Sequence, residues 1–498
     1  MVLRALASFV IAIARRVIPQ PLVAIYPRVV PQPLRQKLFQ KLSKLILNLP
    51  NPTVDHFRIM LSATIPVDHI PGRVVITCGS LRPGGAERQV ANTLLGLARS
   101  GSPDIENLTL LCDFLHRDAN DQYDFYLPLA RESGATVRVI RKQNSTPIRS
   151  MPVGFRRVKD QLHPSLIADI RDLYWEFRSL RPEVVHAWLD WQNVRSGLAA
   201  VLAGVPRIIL SGRNLSPIHF ALNTDYFHPA YCALCERDQN QVILLNNSQA
   251  GANDYAAWLS IPAERIRVSR NSVQFSEAMR PTQERSAALR ARLRIPVDVP
   301  VVGGMFRFND EKRPLLWLQT AARIAQALPE AHFVLFGNGD MRPQMENLVR
   351  ELGIVTRAHL ERNIDRSLEG LAFCDLILLT SRAEGTPNVL LEAQLLGLPV
   401  VTTVAGGAAE AVKDGVTGRV VQQADAIVIA DAVVKILKDR KFLEVARKEG
   451  PAFIAANYGM ERMVRETLAV YELGRIAKSL KPRQEYADEP LKQGWLSP

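Results

Sequence analysis

The chain has 498 residues, more than a single hydrophobic core usually organises, so we expect two principal domains with appendages. Its composition, 47% hydrophobic and 22% charged, excludes an intrinsically disordered protein. The net charge of +13 indicates an anionic partner, such as nucleic acid, a phosphate-bearing substrate or a membrane surface.

The amino terminus carries more than half of the excess positive charge. Residues 1–50 contain eight arginine and lysine residues and no acidic residue. Apolar residues recur there at helical spacing: Leu34, Leu38, Leu42, Leu45, Ile46 and Leu49. The pattern predicts a helix on an anionic membrane surface or, as an open alternative, a helix packed on its own protein. We therefore expect a membrane surface and a phosphate-bearing substrate as partners, and no nucleic acid.

The apolar run at residues 5–14 is about ten residues long, half of the roughly 20 that a spanning helix needs. Arg15 and Arg16 follow it at once, so we predict neither a transmembrane helix nor a signal peptide. The five cysteines are typical of a reducing compartment because they are few, odd in number and mostly within apolar runs. Cys232 and Cys235 form a single C-x-x-C, which we interpret as thiols on a helix, and we predict no metal site.

From residue 73 onward, short apolar runs alternate with amphipathic stretches, which predicts a parallel sheet covered by helices. The first strand begins at residue 73, and a helix follows over 84–100. Further strands are predicted at 107–112, 136–140, 183–188, 207–211 and 241–247.

A second sheet is predicted after a charged, proline-rich stretch that interrupts this rhythm. Its strands are expected at 299–306, 331–337, 375–380 and 398–403, with a short edge strand at 418–421. The predicted division is an extension (1–70), an acceptor-side Rossmann-like domain (71–285), a linker (286–298), a donor-binding Rossmann-like domain (299–455), a helix crossing back (456–475) and a polar tail (476–498).

Ligands of this architecture bind beyond the carboxyl ends of the strands, and two polar clusters follow strands of the first domain. In "SLRPGGAERQ", residues 80–89, Gly84 and Gly85 permit close backbone approach to a phosphate and open a helix. The strand at 183–188 ends near His186, which can bond a substrate hydroxyl or orient an acceptor. As open alternatives, the loop is a structural turn and the histidine is a satisfied core residue.

Two more clusters follow strands of the second domain. In "FRFNDEKRP", Arg307 and Lys312 are predicted to neutralise a departing diphosphate, although a surface charge run is the alternative.

In "SRAEGTPNVLLEAQLLGLPVV", residues 381–401, Thr386 and Pro387 fit the N-cap and first position of a helix. Its free amides, including those of Asn388 and Val389, would bind a phosphate. Glu384 and Glu392 would lie on either side of that phosphate, where carboxylates can accept hydrogen bonds from the hydroxyls of a sugar nucleotide.

Together these residues resemble the retaining glycosyltransferases of family 4, whose GT-B architecture consists of two facing Rossmann-like domains with a deep cleft. The resemblance covers about residues 73–475 and is strongest in "RAEGTPNVLLEAQLLGLPVVTTVAGGAAEAVKDGVTGRVV", with its paired E-x7-E glutamates. It implies that Glu384 binds hydroxyls of the donor sugar, that Glu392 binds the ribose, and that Arg307 and Lys312 bind the diphosphate.

The resemblance also implies that Gly85 faces the phosphates and that His186 lies near the reacting sugar. Family members transfer a sugar from a nucleotide donor with retained configuration. The chain contains no D-x-D, so positive side chains and helix amides would replace a metal, and no cofactor is expected. This sequence departs from the usual pattern at Thr386, where an aromatic or aliphatic residue is common, at Arg313, where glycine is frequent, and at "RNSV", from residue 270.

These features give the hypothesis of a cytoplasmic transferase at the inner face of the plasma membrane. It would move a sugar from a nucleotide diphosphate sugar to a lipid-linked or cell-envelope polysaccharide acceptor. One alternative is a nucleotide-sugar epimerase, which would convert the donor without an acceptor. Another is a non-catalytic nucleotide-binding scaffold, whose function Glu384→Gln would leave intact.

Overall fold

The computed structural model describes residues 51–473 apart from short gaps at 66–67, 118–121, 144–147, 221–223, 275–280 and 363–366. The basic helix predicted within residues 1–50 and the polar tail at 476–498 lie outside the described residues. The described part of the chain contains no helix that is both long and apolar enough to cross a membrane.

The first sheet consists of seven parallel strands. They are β1 (Ile70–Cys78), β2 (Asn107–Cys112), β3 (Thr136–Val139), β4 (Pro182–Trp188), β5 (Arg207–Gly212), β6 (Val242–Asn246) and β7 (Ile266–Val268). Their order in the sheet is β3-β2-β1-β4-β5-β6-β7. Alternate residues enter the cores on opposite faces, as Val74 and Val75 do, because helices cover both sides.

Eight helices of the described residues belong to this half of the molecule. They are α1 (Val54–Met60), α2 (Gly85–Arg99), α3 (Leu127–Glu132), α4 (Val153–Val158), α5 (Pro164–Leu180), α6 (Asp190–Leu202), α7 (Phe227–Cys235) and α8 (Gln249–Leu259). Cys232 and Cys235 lie on α7, which confirms that the C-x-x-C is helical.

The second sheet has six parallel strands. They are β8 (Val301–Met305), β9 (His332–Phe336), β10 (Ala358–Glu361), β11 (Leu376–Leu379), β12 (Val400–Thr403) and β13 (Gly418–Val421), in the order β10-β9-β8-β11-β12-β13. The remaining helices are α9 (Gln283–Arg292), α10 (Pro314–Ala327), α11 (Arg342–Glu351), α12 (Ser367–Ala372), α13 (Asn388–Leu395), α14 (Ala426–Lys438), α15 (Arg440–Tyr458) and α16 (Met460–Tyr471).

These two parallel sheets confirm the predicted fold class of two Rossmann-like domains. All predicted strands are present, and β2 and β13 have the predicted bounds. The sequence prediction missed β7 and β10. Both are short edge strands without a continuous apolar run, so their sequences lack the signal of a buried strand.

The segment predicted as a linker, 286–298, overlaps α9 and does not lack structure. Thr282 caps this helix by accepting a hydrogen bond from the Arg285 amide at 3.3 Å. Leu293 and Ile295, which follow the helix, are buried in the core of the second domain. The prolines that suggested a linker therefore flank a short helix, and many of the charges lie on that helix, none of whose residues is fully buried.

The helix α16 packs against α2 of the first domain. Gly96 of α2 permits this close approach, since a Cβ atom there would lie 2.7 Å from Val464 Cγ2 and 2.9 Å from Met460 Sδ. The helix α16, which follows the second domain in the chain, therefore connects the two domains by packing beside the first strands of the first sheet.

Candidate active site

Three of the four predicted clusters follow strands at the switch points of the sheets, and the fourth, at His186, lies near the end of such a strand. Strand order reverses between β1 and β4 in the first sheet and between β8 and β11 in the second. Ligands of open parallel sheets bind at the carboxyl ends of the strands at these points. The glycine loop follows β1, His186 lies on β4, the pair Arg307 and Lys312 follows β8, and Glu384 follows β11.

Glu384 and Lys312 form the centre of the site. Lys312 Nζ lies 2.5 Å from Glu384 Oε1, and Ser381 Oγ donates to the same oxygen at 2.6 Å. The glutamate is only 5% exposed, so its charge is stabilised by these two donors and not by bulk water. The arrangement fixes a carboxylate and an ammonium group at the ends of two adjacent strands.

Arg307, in contrast, is exposed. Within the described chain its side chain makes no hydrogen bond or ion pair, so the structure brings Lys312 and not Arg307 to Glu384. Arg313, next to Lys312, adopts a positive φ of 49°. This left-handed conformation favours glycine, which accounts for the glycine frequent at this position in the family pattern.

The predicted helix start is wrong by one residue. Asn388 begins α13, and Pro387 is its N-cap residue. The Thr386 hydroxyl does not cap the helix, because it donates across the domain boundary to the Asn247 carbonyl oxygen at 2.6 Å. No described side chain caps α13, so the amides of Asn388 and Val389 remain available at its amino end.

Asn388 joins the donor-side helix to the first domain. Its Nδ2 atom donates to the Gly85 carbonyl oxygen at 3.1 Å. Its Oδ1 atom accepts hydrogen bonds from Gln89 Nε2 at 3.2 Å and from Asn271 Nδ2 at 2.8 Å. The glycine loop therefore contacts the start of α13 directly, and Gly84 is the N-cap residue of α2.

Glu392 also contacts the first domain. Its carboxylate, 4% exposed, forms an ion pair with the Arg88 guanidinium. Although burial opposes the charge of Arg88, the neighbouring Glu392 raises its pKa above the usual range. The glutamate predicted to bind the ribose is thus held by a cation from the opposite domain, and a ribose would have to share or displace this contact.

His186 is buried on the first domain's side of the cleft. Its Nδ1 atom lies 2.8 Å from the Tyr471 hydroxyl, whereas Nε2 has no partner among the described residues. Burial, and secondarily the charge of Arg213, lowers the pKa of His186 to about 3. The imidazole is therefore neutral near pH 7 and can exchange hydrogen bonds without carrying charge.

Comparison with known proteins identifies the family. Residues 286–453, which include Lys312 and both glutamates, match the family model of glycosyl transferases group 1. The chain is 29% identical over 420 residues to the Vi polysaccharide biosynthesis protein VipC/TviE of Salmonella typhi, covering 79% of this chain and 70% of that protein. The second domain of the chain, over residues 286–453, is therefore a group 1 glycosyltransferase domain. This match confirms the resemblance to retaining family 4 enzymes.

Two further proteins are similar to this glycosyltransferase. The lipopolysaccharide core biosynthesis glycosyltransferase LpsE of Rhizobium meliloti is 30% identical over 172 residues, 34% of this chain and 49% of that protein. The crystal structure of Anabaena Alr3699/HepE in complex with UDP and glucose has a TM-score of 0.64 at 20% identity, covering 80% of this chain and 99% of that chain. At this identity the structural likeness establishes the GT-B fold alone.

Sequence analysis missed several residues of the glycosyltransferase cleft. Arg88 and Gln89 belong to the glycine-loop motif and contact α13, which lies about 300 residues away in the sequence. Asn271 belongs to "RNSV" and contacts α13 across 117 residues. No local sequence pattern shows these contacts. Tyr471 reaches His186 from the last described helix. Only a prediction of how the two domains face each other could have found these contacts.

Gly385 offers a test of this interface in the glycosyltransferase. A Cβ atom there would clash with Asn247 Oδ1 and lie 2.5 Å from the Arg213 carbonyl oxygen. We expect Gly385→Ala to weaken the domain contact by about 1 to 3 kcal/mol, seen as a lower Tm in thermal unfolding. Gly79→Ala is the matched control, because a Cβ atom there meets nothing within 4 Å. Equal Tm values for the two variants would contradict the described interface.

Proposed function

We propose that this enzyme transfers a sugar, with retained configuration and without a metal ion, from a nucleotide diphosphate sugar to a lipid-linked or cell-envelope polysaccharide acceptor. The observation that carries the proposal is the buried Glu384, held by Lys312 and Ser381 beside the open amino end of α13. A buried carboxylate beside groups suited to a diphosphate supports a site for a sugar nucleotide.

The donor end of the cleft supplies positive charge from three sources. Lys312 lies at the site, Arg307 is exposed on the same strand-end loop, and the amides of Asn388 and Val389 add the positive end of a helix dipole. In this proposal Lys312 and Arg307 stabilise the negative charge that develops on the leaving diphosphate. They thereby perform the task that a divalent cation performs in metal-dependent transferases.

His186 is proposed to orient the reacting sugar and not to act as the base. Its pKa of about 3 means that it is already neutral, but an imidazole of such low basicity is a weak proton acceptor near pH 7. The family resemblance instead implies a front-face reaction in which the leaving phosphate oxygen assists removal of the acceptor proton.

The relatives support the choice of substrates. One is a Vi polysaccharide biosynthesis protein and another a lipopolysaccharide core glycosyltransferase, which favours an envelope glycan as acceptor. The solved neighbour binds UDP and glucose, which favours a uridine nucleotide sugar as donor.

The decisive test incubates the purified enzyme with a panel of nucleotide sugars and host membrane extract, and identifies the products by mass spectrometry. We expect an acceptor enlarged by one sugar unit and free nucleoside diphosphate, with the donor's anomeric configuration retained by NMR. Transfer should persist in EDTA. Conversion of the donor without acceptor would instead indicate an epimerase, and the absence of any turnover with any donor would favour a nucleotide-binding scaffold.

The proposal also assigns membrane binding to residues 1–50. The enzyme would then lie in the cytoplasm, peripheral at the inner face of the plasma membrane. Each basic residue near an anionic bilayer contributes about 1 kcal/mol, so the four within 35–44 correspond to roughly a thousand-fold in partitioning. We expect deletion of residues 1–50 to release the enzyme from anionic liposomes in a sedimentation assay. Deletion of residues 476–498 is the control and should leave binding unchanged. Undiminished binding without residues 1–50 would refute this assignment.

A further inference from the structure

A small cavity lies in the first domain beneath the interface with α13. Its free volume is about 10 Å³, room for about one water molecule or one ligand oxygen atom, and its lining includes His186, Trp188, Arg213, Arg270 and Gln89. The cavity adjoins the donor site by two contacts. Gln89 donates to Asn388 Oδ1 at 3.2 Å, and the backbone of Arg213 touches the loop at Gly385, next to Glu384.

The cavity wall has an excess of hydrogen-bond donors without acceptors. Trp188 Nε1, Arg213 Nε and His186 Nε2 are buried, and none of the three has a partner among the described residues. The first two atoms can only donate hydrogen bonds. Their side chains are adjacent, since the Arg213 guanidinium carbon lies 4.4 Å from the Trp188 ring centroid and the His186 and Trp188 rings are 5.1 Å apart. Buried donors of this kind require an acceptor from outside the chain.

The charge of Arg213 is also uncompensated. Its two hydrogen-bond acceptors, Ser211 Oγ at 3.3 Å and Asn271 Oδ1 at 2.5 Å, are neutral. No carboxylate of the described chain forms an ion pair with it, and its charged neighbour Arg462 is itself a cation. Burial, with a smaller effect of Arg462, lowers the pKa of Arg213 to about 9, so the guanidinium is still charged at neutral pH. Arg213 as a whole is half-buried, and a cation that has lost part of its water without gaining a counter-charge is costly unless a ligand supplies the anion.

We propose that this cavity receives an oxygen atom of an anionic group of a substrate, a carboxylate or a phosphate, and that Arg213 determines specificity for it. The inference rests on the proposed glycosyl transfer and deepens it by naming a substrate class. A planar guanidinium donates hydrogen bonds to either group, and Trp188 Nε1 adds a further donor. The anion has two possible sources, a carboxylate on the transferred sugar or a phosphate on the acceptor.

Two arms of a kinetic experiment distinguish these sources. The first compares UDP-glucose with UDP-glucuronic acid as donor, and the second compares acceptors with and without a phosphate group. We expect the wild-type enzyme to prefer the anionic member of one pair, and Arg213→Gln to lower kcat/KM for that member by roughly ten- to a hundred-fold. The neutral member should change little, and Arg213→Lys should restore part of the loss. Arg419→Gln, at an exposed surface arginine, is the matched control.

A binding measurement keeps the inference testable if no donor is turned over. The Tm of the wild-type enzyme and of Arg213→Gln is measured with UDP-glucose, UDP-glucuronic acid and inorganic phosphate, after both proteins are shown to be folded by circular dichroism. A larger stabilisation of the wild type by an anionic probe supports the inference even if the proposed transfer fails. Equal effects of Arg213→Gln on neutral and anionic substrates, or a crystal structure with only water in the cavity, would overturn it.

Discussion

Replacing Lys312 with alanine is expected to lower kcat by about a hundred- to a thousand-fold. The lysine ammonium lies at the strand end where the diphosphate is proposed to bind, and a fixed donor for developing negative charge contributes this much in other enzymes. Among the described residues, the substitution also leaves the buried Glu384 with Ser381 as its one remaining side-chain donor. Initial rates at saturating donor and acceptor concentrations measure the effect.

Lys413→Ala is the control for this variant, because Lys413 is exposed and, in the described part of the chain, forms an ion pair with Glu449 alone, at 3.5 Å on the surface. Its kcat should equal that of the wild type. A Lys312→Ala enzyme that remains folded and retains more than about a tenth of the wild-type kcat would show that this cation does not stabilise the leaving diphosphate.

Replacing Glu384 with glutamine is expected to reduce turnover by roughly ten- to a hundred-fold. Glutamine keeps the size of the side chain but removes the negative charge that accepts from Lys312 and, in the proposal, from sugar hydroxyls. A hydrogen bond to a charged group is worth on the order of 1.5 to 3 kcal/mol, which gives that range. The loss should appear in kcat/KM for the donor.

Glu346→Gln serves as the control, since Glu346 is exposed and pairs with Arg342 of the same helix at 2.9 Å. This variant should behave as the wild type does. If Glu384→Gln retained full activity, the acid group would have no part in donor binding.

The fold could be predicted from the sequence wherever the hydrophobic pattern is strong. In β2, every residue after the exposed Asn107 is buried and most of these are apolar, so such a strand is recognised from its apolar run. The edge strand β10 and the helix α9 were not recognised. Their residues are half-exposed and polar, because their stability comes from neighbours distant in the sequence and not from a local pattern.

The site residues could be predicted from the sequence only where a motif directly follows a predicted strand. Glu384 and Lys312 come together because β8 and β11 are neighbours in one sheet, which the alternation of strands and helices implies. Thr386 was misassigned as a cap because its hydroxyl instead bonds to Asn247 of the other domain. The contacts of Arg88 and Arg213 likewise depend on how the domains pack, and this information is not local in the sequence.

The most direct test of the central claim is a crystal structure of the enzyme with an unreactive nucleotide sugar. We predict that the diphosphate lies between Lys312 and the first amides of α13. Glu384 should accept hydrogen bonds from the sugar, and Glu392 from the ribose, with the Arg88 contact shared or displaced. A donor bound away from the start of α13, or a sugar that leaves Glu384 without contact, would contradict the account.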